Sequence, residues 1–253
     1  MGDGTVATAL HRRLASVSLL DEEAAALLND LLDRRRRLQA GERLQEEGAP
    51  MERARVLLSG WGMRARSLPD GSRQVIGFLL PGDSVGLYGA LFRESLTYTE
   101  LLTDAEVAEF PCVELVELFA RSPRLGAALC WIGGQDERFV AQQLVRVGRL
   151  AAPRRIGHLL LELLHRRRLA GSAEPEARVF PLTQQVIADA LGMSHVHANR
   201  SCRELVRRDL LVVDPGRIEL LDEAGLVAFA GFDADYIVGG GPSRAGRARI
   251  ADA

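Results

Sequence analysis

The sequence has no lysine: all 32 of its basic residues are arginine. That excludes a Schiff-base lysine and any phosphate loop ending in Gly-Lys-Ser/Thr. Net charge is also scarce, because 34 acidic residues leave a formal −2. A total near zero still permits a basic face, so nucleic acid is not excluded. The three cysteines, Cys112, Cys130 and Cys202, are odd in number and widely spaced, which argues against a disulfide framework and for reduced thiols in a cytosol. No apolar run reaches about 18 residues, so no segment reads as a membrane span. Met1 to Leu20 lacks a continuous apolar stretch and holds His11-Arg12-Arg13 in its middle, unlike a signal peptide. There is no His-Glu-x-x-His, and no Gly-x-Gly-x-x-Gly after a strand. A cupin-type enzyme needs clustered histidines in its barrel, and residues 34 to 110 contain none. The expectation is a cytoplasmic protein that is not an enzyme.

The first third is punctuated by turn signals at Gly41, Gly48-Ala49-Pro50, Ser59-Gly60, Pro69-Asp70-Gly71 and Pro81-Gly82-Asp83. Intervals of roughly ten residues fit the short antiparallel strands of a sandwich or barrel. Trp61 to Arg66 alternates apolar residues with Gly or Arg, which predicts a strand with one wet face. Ahead of these, Leu27, Leu28, Leu31 and Leu32 mark an amphipathic helix, and Arg34 to Arg37 read as a solvated charge run. After Arg121-Ser122-Pro123, residues Leu125, Leu129, Ile132, Phe139, Val140, Leu144 and Val147 fall at helical intervals up to Gly148. That predicts a helix of about 37 Å. A stripe so long exceeds what its own small domain covers, so the helix is expected to pack against its copy in a homodimer. Gly133-Gly134 leave two readings open, a close helix approach or a kink. Ala151-Ala152-Pro153 is a candidate hinge, and residues 154 to 168 resume as a helix with Ile156, Leu159, Leu160, Leu163 and Leu164 on one side. The glycine- and arginine-bearing remainder after about Val238 reads as disordered.

Residues 182 to 209 are the informative stretch. Thr183 can cap a short helix through Ala190, with Val186, Ile187 and Leu191 inward, and Gly192 supplies the left-handed residue that ends it. Ser194 can cap a second helix whose Val196, Ala198, Cys202 and Leu205 read as facing the first. Two short helices joined by a glycine turn form a helix-turn-helix, whose second helix enters the major groove of double-stranded DNA. His195, His197, Asn199, Arg200 and Arg203 lie on its exposed side. Arginine can grip guanine O6 and N7, and asparagine adenine N6 and N7. Thr183, Gln184 and Gln185 at the first helix's start could bond a phosphate. Residues 151 to 220 hold 11 arginines against 8 acidic residues, opposite in sign to the whole chain. Leu210 to Val213, Asp214-Pro215-Gly216-Arg217 and Ile218 to Leu221 read as a hairpin, the wing of such a domain.

Taken together these segments resemble the CRP/FNR family of bacterial transcription regulators, over about residues 15 to 235. The likeness is most specific from Thr183-Gln184-Gln185 through Asn199-Arg200. It extends to Gly148-Arg149-Leu150-Ala151, His158 to Leu163 and Ala230-Gly231-Phe232-Asp233. The resemblance implies an α+β fold with a cyclic-nucleotide-binding-like β-barrel or jelly roll at 15–120. A dimerisation helix at 121–150, a winged helix-turn-helix at 151–235 and a disordered tail at 236–253 would follow. It implies a sequence-specific regulator that binds a palindromic promoter site as a homodimer, with RNA polymerase as a partner. Arg200 would match the arginine that reads a guanine, with His195, Val196 and Asn199 at other groove-facing positions; Ser194 and His197 are counted with them as DNA-binding candidates.

Departures from the family pattern limit what carries over. Members that bind cyclic AMP have Gly-Glu-Leu and, about ten residues later, an arginine for the cyclic phosphate. Here Leu87 stands at the glutamate position, and Ser95-Leu96-Thr97 offers no basic residue. A buried phosphate without its charge partner is strongly disfavoured, so cyclic AMP is not the expected effector. The effector pocket is placed at Gly82, Val85, Gly86, Leu87, Leu96 and Thr97, for a small molecule of unspecified kind. No cysteine precedes Cys112, and three cannot make a four-cysteine cluster, so no cofactor is required. Haem stays open, with His11 a lone candidate. Val196 stands where many members have glutamate; it cannot accept from cytosine N4 but can touch a thymine methyl. His195 and His197 point about 200° apart on a helix and cannot share a metal. His158 and His165 share a face but sit among leucines, so no metal is assigned. Cys202 has two readings: a redox thiol activated by Arg200 and Arg203, making a redox-responsive regulator, or a small packing residue. A pure effector-domain interaction protein is a further alternative, against which the winged helix argues.

Overall fold

The computed structural model describes residues 8–15, 22–87 and 91–238. Helices α1 (Ala9–Ala15) and α2 (Glu22–Leu32) precede eight short strands. These are β1 (Arg35–Leu38), β2 (Arg43–Gln45), β3 (Arg53–Ser59), β4 (Gly62–Ser67), β5 (Arg73–Leu79), β6 (Ser84–Val85), β7 (Tyr98–Leu101) and β8 (Ala105–Pro111). They form two four-stranded antiparallel sheets, ordered β1-β8-β3-β6 and β2-β7-β4-β5. The result is a sandwich of jelly-roll type, barrel-like but not a closed barrel. Between the sheets lie Leu44, Leu57, Leu79, Leu101 and Val107.

Each sheet's outer face is covered by a different set of helices. Ala54, Val56, Ala108 and Phe110 of the first sheet pack against α1, α2, α3 (Val113–Arg121) and the first half of α4 (Pro123–Arg149). Met63, Ala65, Val75, Phe78 and Tyr98 of the second sheet join one core with the C-terminal half of the chain. That half comprises α5 (Ala152–Leu169), β9 (Val179–Phe180), α6 (Gln184–Leu191), α7 (His195–Val206), β10 (Leu211–Asp214), β11 (Arg217–Leu220), α8 (Glu223–Ala230) and α9 (Asp235–Val238). Strand alternation explains the division, because successive side chains of β4 point to opposite faces. The wet face read for Trp61 to Arg66 holds at Arg66, which is exposed, and is corrected at Arg64. Met63 and Ala65 are covered by the C-terminal half, and Arg64 turns inward rather than to solvent.

Helix α4 starts where Ser122 Oγ accepts from Leu125 N and Pro123 takes the first turn. It runs as one helix through Gly133-Gly134, and a Cβ added at Gly134 would meet nothing within 4 Å, so no close approach is seen at Gly134 among the described residues. The break falls at Leu150 and Ala151, two extended residues, while Ala152 and Pro153 already belong to α5. Residues 156 to 164 of α5 are buried all round rather than on one side. A boundary at 235 cuts packed structure, since Ile237 of α9 is 4% exposed and Tyr236 packs against the same core. The rest of the expected disordered tail lies outside the described residues.

Buried ion pairs fasten the two halves. Asp83, in the turn between β5 and β6, accepts from Arg13 of α1 at 2.5 Å and from Arg166 of α5 at 2.6 Å. Its second oxygen also accepts from Leu80 N at 2.7 Å. Arg146 of α4, 1% exposed, donates to Glu162 of α5 at 2.5 Å and to His158 Nδ1 at 3.3 Å. The Tyr236 hydroxyl donates to the same Glu162 at 2.8 Å.

Candidate nucleic-acid interface and effector cavity

The helix pair is built by local caps. Thr183 Oγ1 accepts from Val186 N at 3.1 Å, and Ser194 Oγ accepts from His197 N at 3.3 Å. Between them Gly192 takes φ +60°, the left-handed conformation that ends α6. The end of α6 is held from outside its own domain. Gln74 of β5 and Gln143 of α4 both donate to Ala190 O, and Arg73 Nε reaches Asp189 at 2.7 Å.

Helix α7 buries Ala198, Ser201, Cys202 and Leu205. Val196, 77% exposed, is corrected from an inward to an outward position. At 100° per residue it stands opposite Ala198 and Leu205, on one face with Arg200 and Arg203. Arg207 shares that face one turn beyond Arg203, a residue the same arithmetic finds and sequence reasoning passed over. Arg200, Arg203 and Arg207 are exposed and form no ion pair among the described residues. Free arginine forks on a continuous face suit both base edges and phosphates. His195 and His197 are exposed at the helix start. Asn199 is half-buried, and its Nδ2 donates to Gln184 Oε1 at 2.6 Å, so these two side chains brace α6 against α7. Gln185 is likewise engaged, with Asp189 at 2.7 Å. The wing is a three-stranded sheet, β10-β11-β9, in which β9 adds a strand to the expected hairpin.

Cys202 is 1% exposed, and burial pushes its thiol up to about 11. Its neighbouring arginines point away to solvent, so the redox reading is corrected in favour of packing. His158 and His165 both pack on Phe232, at 4.9 and 5.4 Å between ring centroids. Among the described residues no cluster of three or more His, Cys, Asp or Glu side chains could hold a metal. His11 lies on α1, its Nδ1 2.8 Å from Thr8 Oγ1.

Within the sandwich a cavity of about 280 Å³ is lined by Val85, Gly86, Leu87, Leu96 and Thr97, together with Arg64 and Asp136. Gly82 is corrected: it backs onto α1, and a Cβ there would lie 2.9 Å from Leu10 N. Arg64 and Asp136 were not foreseen; Arg64 belonged to the face read as wet, and Asp136 was not singled out. Gly82-Asp83-Ser84-Val85-Gly86 also spells a nucleophile-elbow pattern that sequence reasoning overlooked. Ser84 lies on the two-residue strand β6, not at a strand-to-helix turn, so the pattern has no catalytic context.

Two family models match the chain: a cyclic nucleotide-binding domain over residues 35–122 and a Crp-like helix-turn-helix domain over residues 154–229. The chain belongs to the CRP/FNR family. This CRP/FNR protein is 29% identical over 217 residues to the transcriptional activator protein FnrA of Stutzerimonas stutzeri, covering 85% of this chain and 87% of FnrA. It is 28% identical over 242 residues to the transcriptional activator protein FnrL of Cereibacter sphaeroides, covering 91% and 96%. The structure of FixK2 from Bradyrhizobium japonicum superposes with a TM-score of 0.67 at 21% identity, over 77% of this chain and 95% of FixK2, which bears on the fold. CRP/FNR proteins are DNA-binding transcription regulators rather than enzymes, and the face of α7 is this chain's DNA-binding candidate. Among the described residues no helix is long and apolar enough to cross a membrane.

Proposed function

We propose that this regulator works as a homodimer in the cytoplasm, with α4 as the seam and the α7 face reading a two-fold palindromic promoter site. The observation that carries the reading is the exposed row Val196, Arg200, Arg203 and Arg207, set opposite the helix's buried side. Support for the dimer comes from α4, where Val140 and Leu144, one turn apart on one face, are 41% and 74% exposed. Apolar side chains in such a stripe favour a helical partner. Half-sites would lie about 34 Å apart, one helical turn of DNA. Relatives named as activators support RNA polymerase as a partner.

The effector is a small molecule other than cyclic AMP. Leu87 and Leu96 line the cavity where the family's ribose and phosphate contacts would stand, and Leu96 is 72% exposed. Selection of bound sequences from random duplex DNA tests the reading. Inverted repeats should be enriched, and Leu144→Glu should reduce both dimer mass and affinity. Enrichment of single half-sites by a monomer would overturn the dimer. Calorimetric binding of cyclic AMP at micromolar concentration would overturn the effector statement.

A further inference from the structure

One cation lining the sandwich's cavity has no hydrogen-bonded or ion-paired partner among the described residues, with Asp136 in electrostatic reach but beyond ion-pair distance. Arg64 pairs across β4 with Gly77 of β5 and Thr99 of β7. Its Nε is buried without a hydrogen-bond partner, and among the described residues no carboxylate lies within ion-pair distance of the guanidinium. A half-buried guanidinium with an unpartnered Nε gains from a carboxylate, which can accept two parallel charge-assisted hydrogen bonds. Gly77, directly opposite, leaves open space where a side chain would stand.

The space Arg64 lines is the cavity of about 280 Å³. Met51, Leu79, Val85 and Ile132 give it apolar walls, and Asp136 of α4 lines it together with Arg64. Burial, with Asp83 adding to it, pushes the Asp136 carboxyl up from its ordinary value against the opposing pull of Arg64, Arg13 and Arg166. Arg64 and Asp136 also line a narrower space of about 40 Å³ that reaches Asp83 and Arg166, the pair fastening the two halves.

We propose that Arg64 anchors an effector site for a small organic monocarboxylate, its carboxylate on the guanidinium and its apolar body between Met51, Leu79, Val85 and Ile132. The proposal rests on reading the sandwich as an effector domain. One unpaired cation matches one negative charge, whereas a phosphate dianion finds no second arginine, since Leu96 stands at that position. A cavity of about 150 Å³ holds a benzene ring, so this one suits a ring or short alkyl chain bearing a carboxylate. The narrower space gives the bound anion a route to the Asp83–Arg166 pair, and through α5 to the DNA-binding half.

Calorimetry on the full chain tests it, with hexanoate, octanoate, benzoate and 3-phenylpropanoate as probes and their primary amides as controls. At least one acid should bind once per protomer with Kd below about 1 mM, and its amide at least about tenfold more weakly. Arg64→Met should weaken that acid by about tenfold or more while melting at the same or a higher temperature without ligand, because an unpaired cation has been removed. Ile132→Trp, which fills the cavity and keeps Arg64, should also abolish binding. No acid binding below 1 mM, equal binding of acid and amide, or an Arg64→Met variant that binds as well as the parent would each overturn the proposal. A sequence-specific DNA complex with no carboxylate binding would defeat this site and leave the DNA reading intact; carboxylate binding without specific DNA would do the reverse.

Discussion

Asp83→Asn tests how firmly the two halves are fastened. The substitution keeps the side chain's shape and one acceptor for Leu80 N, but removes the negative charge between Arg13 and Arg166. Asp83 and Arg166 side chains are each 9% exposed, so solvent does little to replace the lost partner. Removing one member of a buried ion pair costs about 3–5 kcal/mol. Arg166 retains Glu162 at 3.7 Å and the Phe78 carbonyl at 3.0 Å, which places the expected loss at the lower end, about 3 kcal/mol. For a chain of this size that corresponds to roughly 6–12 °C in melting temperature. Urea denaturation at pH 7, followed by circular dichroism, reads it directly. The double variant Asp83→Asn/Arg166→Met should fall short of additivity by about 1–3 kcal/mol, since both changes remove one interaction. A loss below about 1 kcal/mol, or strict additivity, would refute the reasoning that the pair is buried and coupled.

Other perturbations address the DNA face and the buried histidine and thiol. Arg200→Ala should cost about 1–3 kcal/mol of DNA affinity and flatten the preference at one base pair, measured by mobility shift on systematically substituted sites. An equal loss on every sequence would make Arg200 a phosphate contact. Arg207→Ala should weaken all sequences alike and lower the salt slope by about 1. Peroxide should leave DNA binding unchanged in the parent and in Cys202→Ser, because the thiol is buried; inhibition that the serine abolishes would show the sulfur to be accessible. His158, held down to about 4 by burial and by Arg146, is neutral in the fold. Its unfolded form takes up a proton below pH 6.5, so its contribution is complete above that and is lost as pH falls toward 4. Between pH 7.5 and 5 the parent should lose about 2 kcal/mol more than His158→Gln in urea titrations.

The recognition helix pair was legible because its determinants are local. Thr183, Gly192 and Ser194 declare their caps and turn by residue type alone. Helix α4 was legible from its period, as was its start at Ser122-Pro123. Arg64 was not, because alternation shows that a strand has two faces and not which one the rest of the chain covers. Here the outer face is covered by residues about a hundred positions later, so the arginine turns inward. Val196 was ambiguous for a related reason: an apolar residue in an amphipathic helix reads as inward until its angle is set against Ala198 and Leu205. Strand β9, two residues long, has too short a pattern to announce itself. Helix α9, four residues long at Asp235–Val238, is likewise too short for its period to show, so the sequence sets the boundary at 235.

The middle of helix α5, residues 156 to 164, is buried on every side, and its leucines share a core with Met63, Val75 and Phe78 of the sandwich and Ile187 and Leu205 of the helix pair. This bears on how such regulators diversify. A sensor and a reader joined by a tether can be exchanged by recombination at the tether. Here the crossover at Leu150-Ala151 would part α5 from the sheet it was shaped against. Any ancestral or engineered graft that keeps this reader must also keep the outer face of β4 and β5, so new sensing chemistry is freest to arise on the opposite side of that sheet.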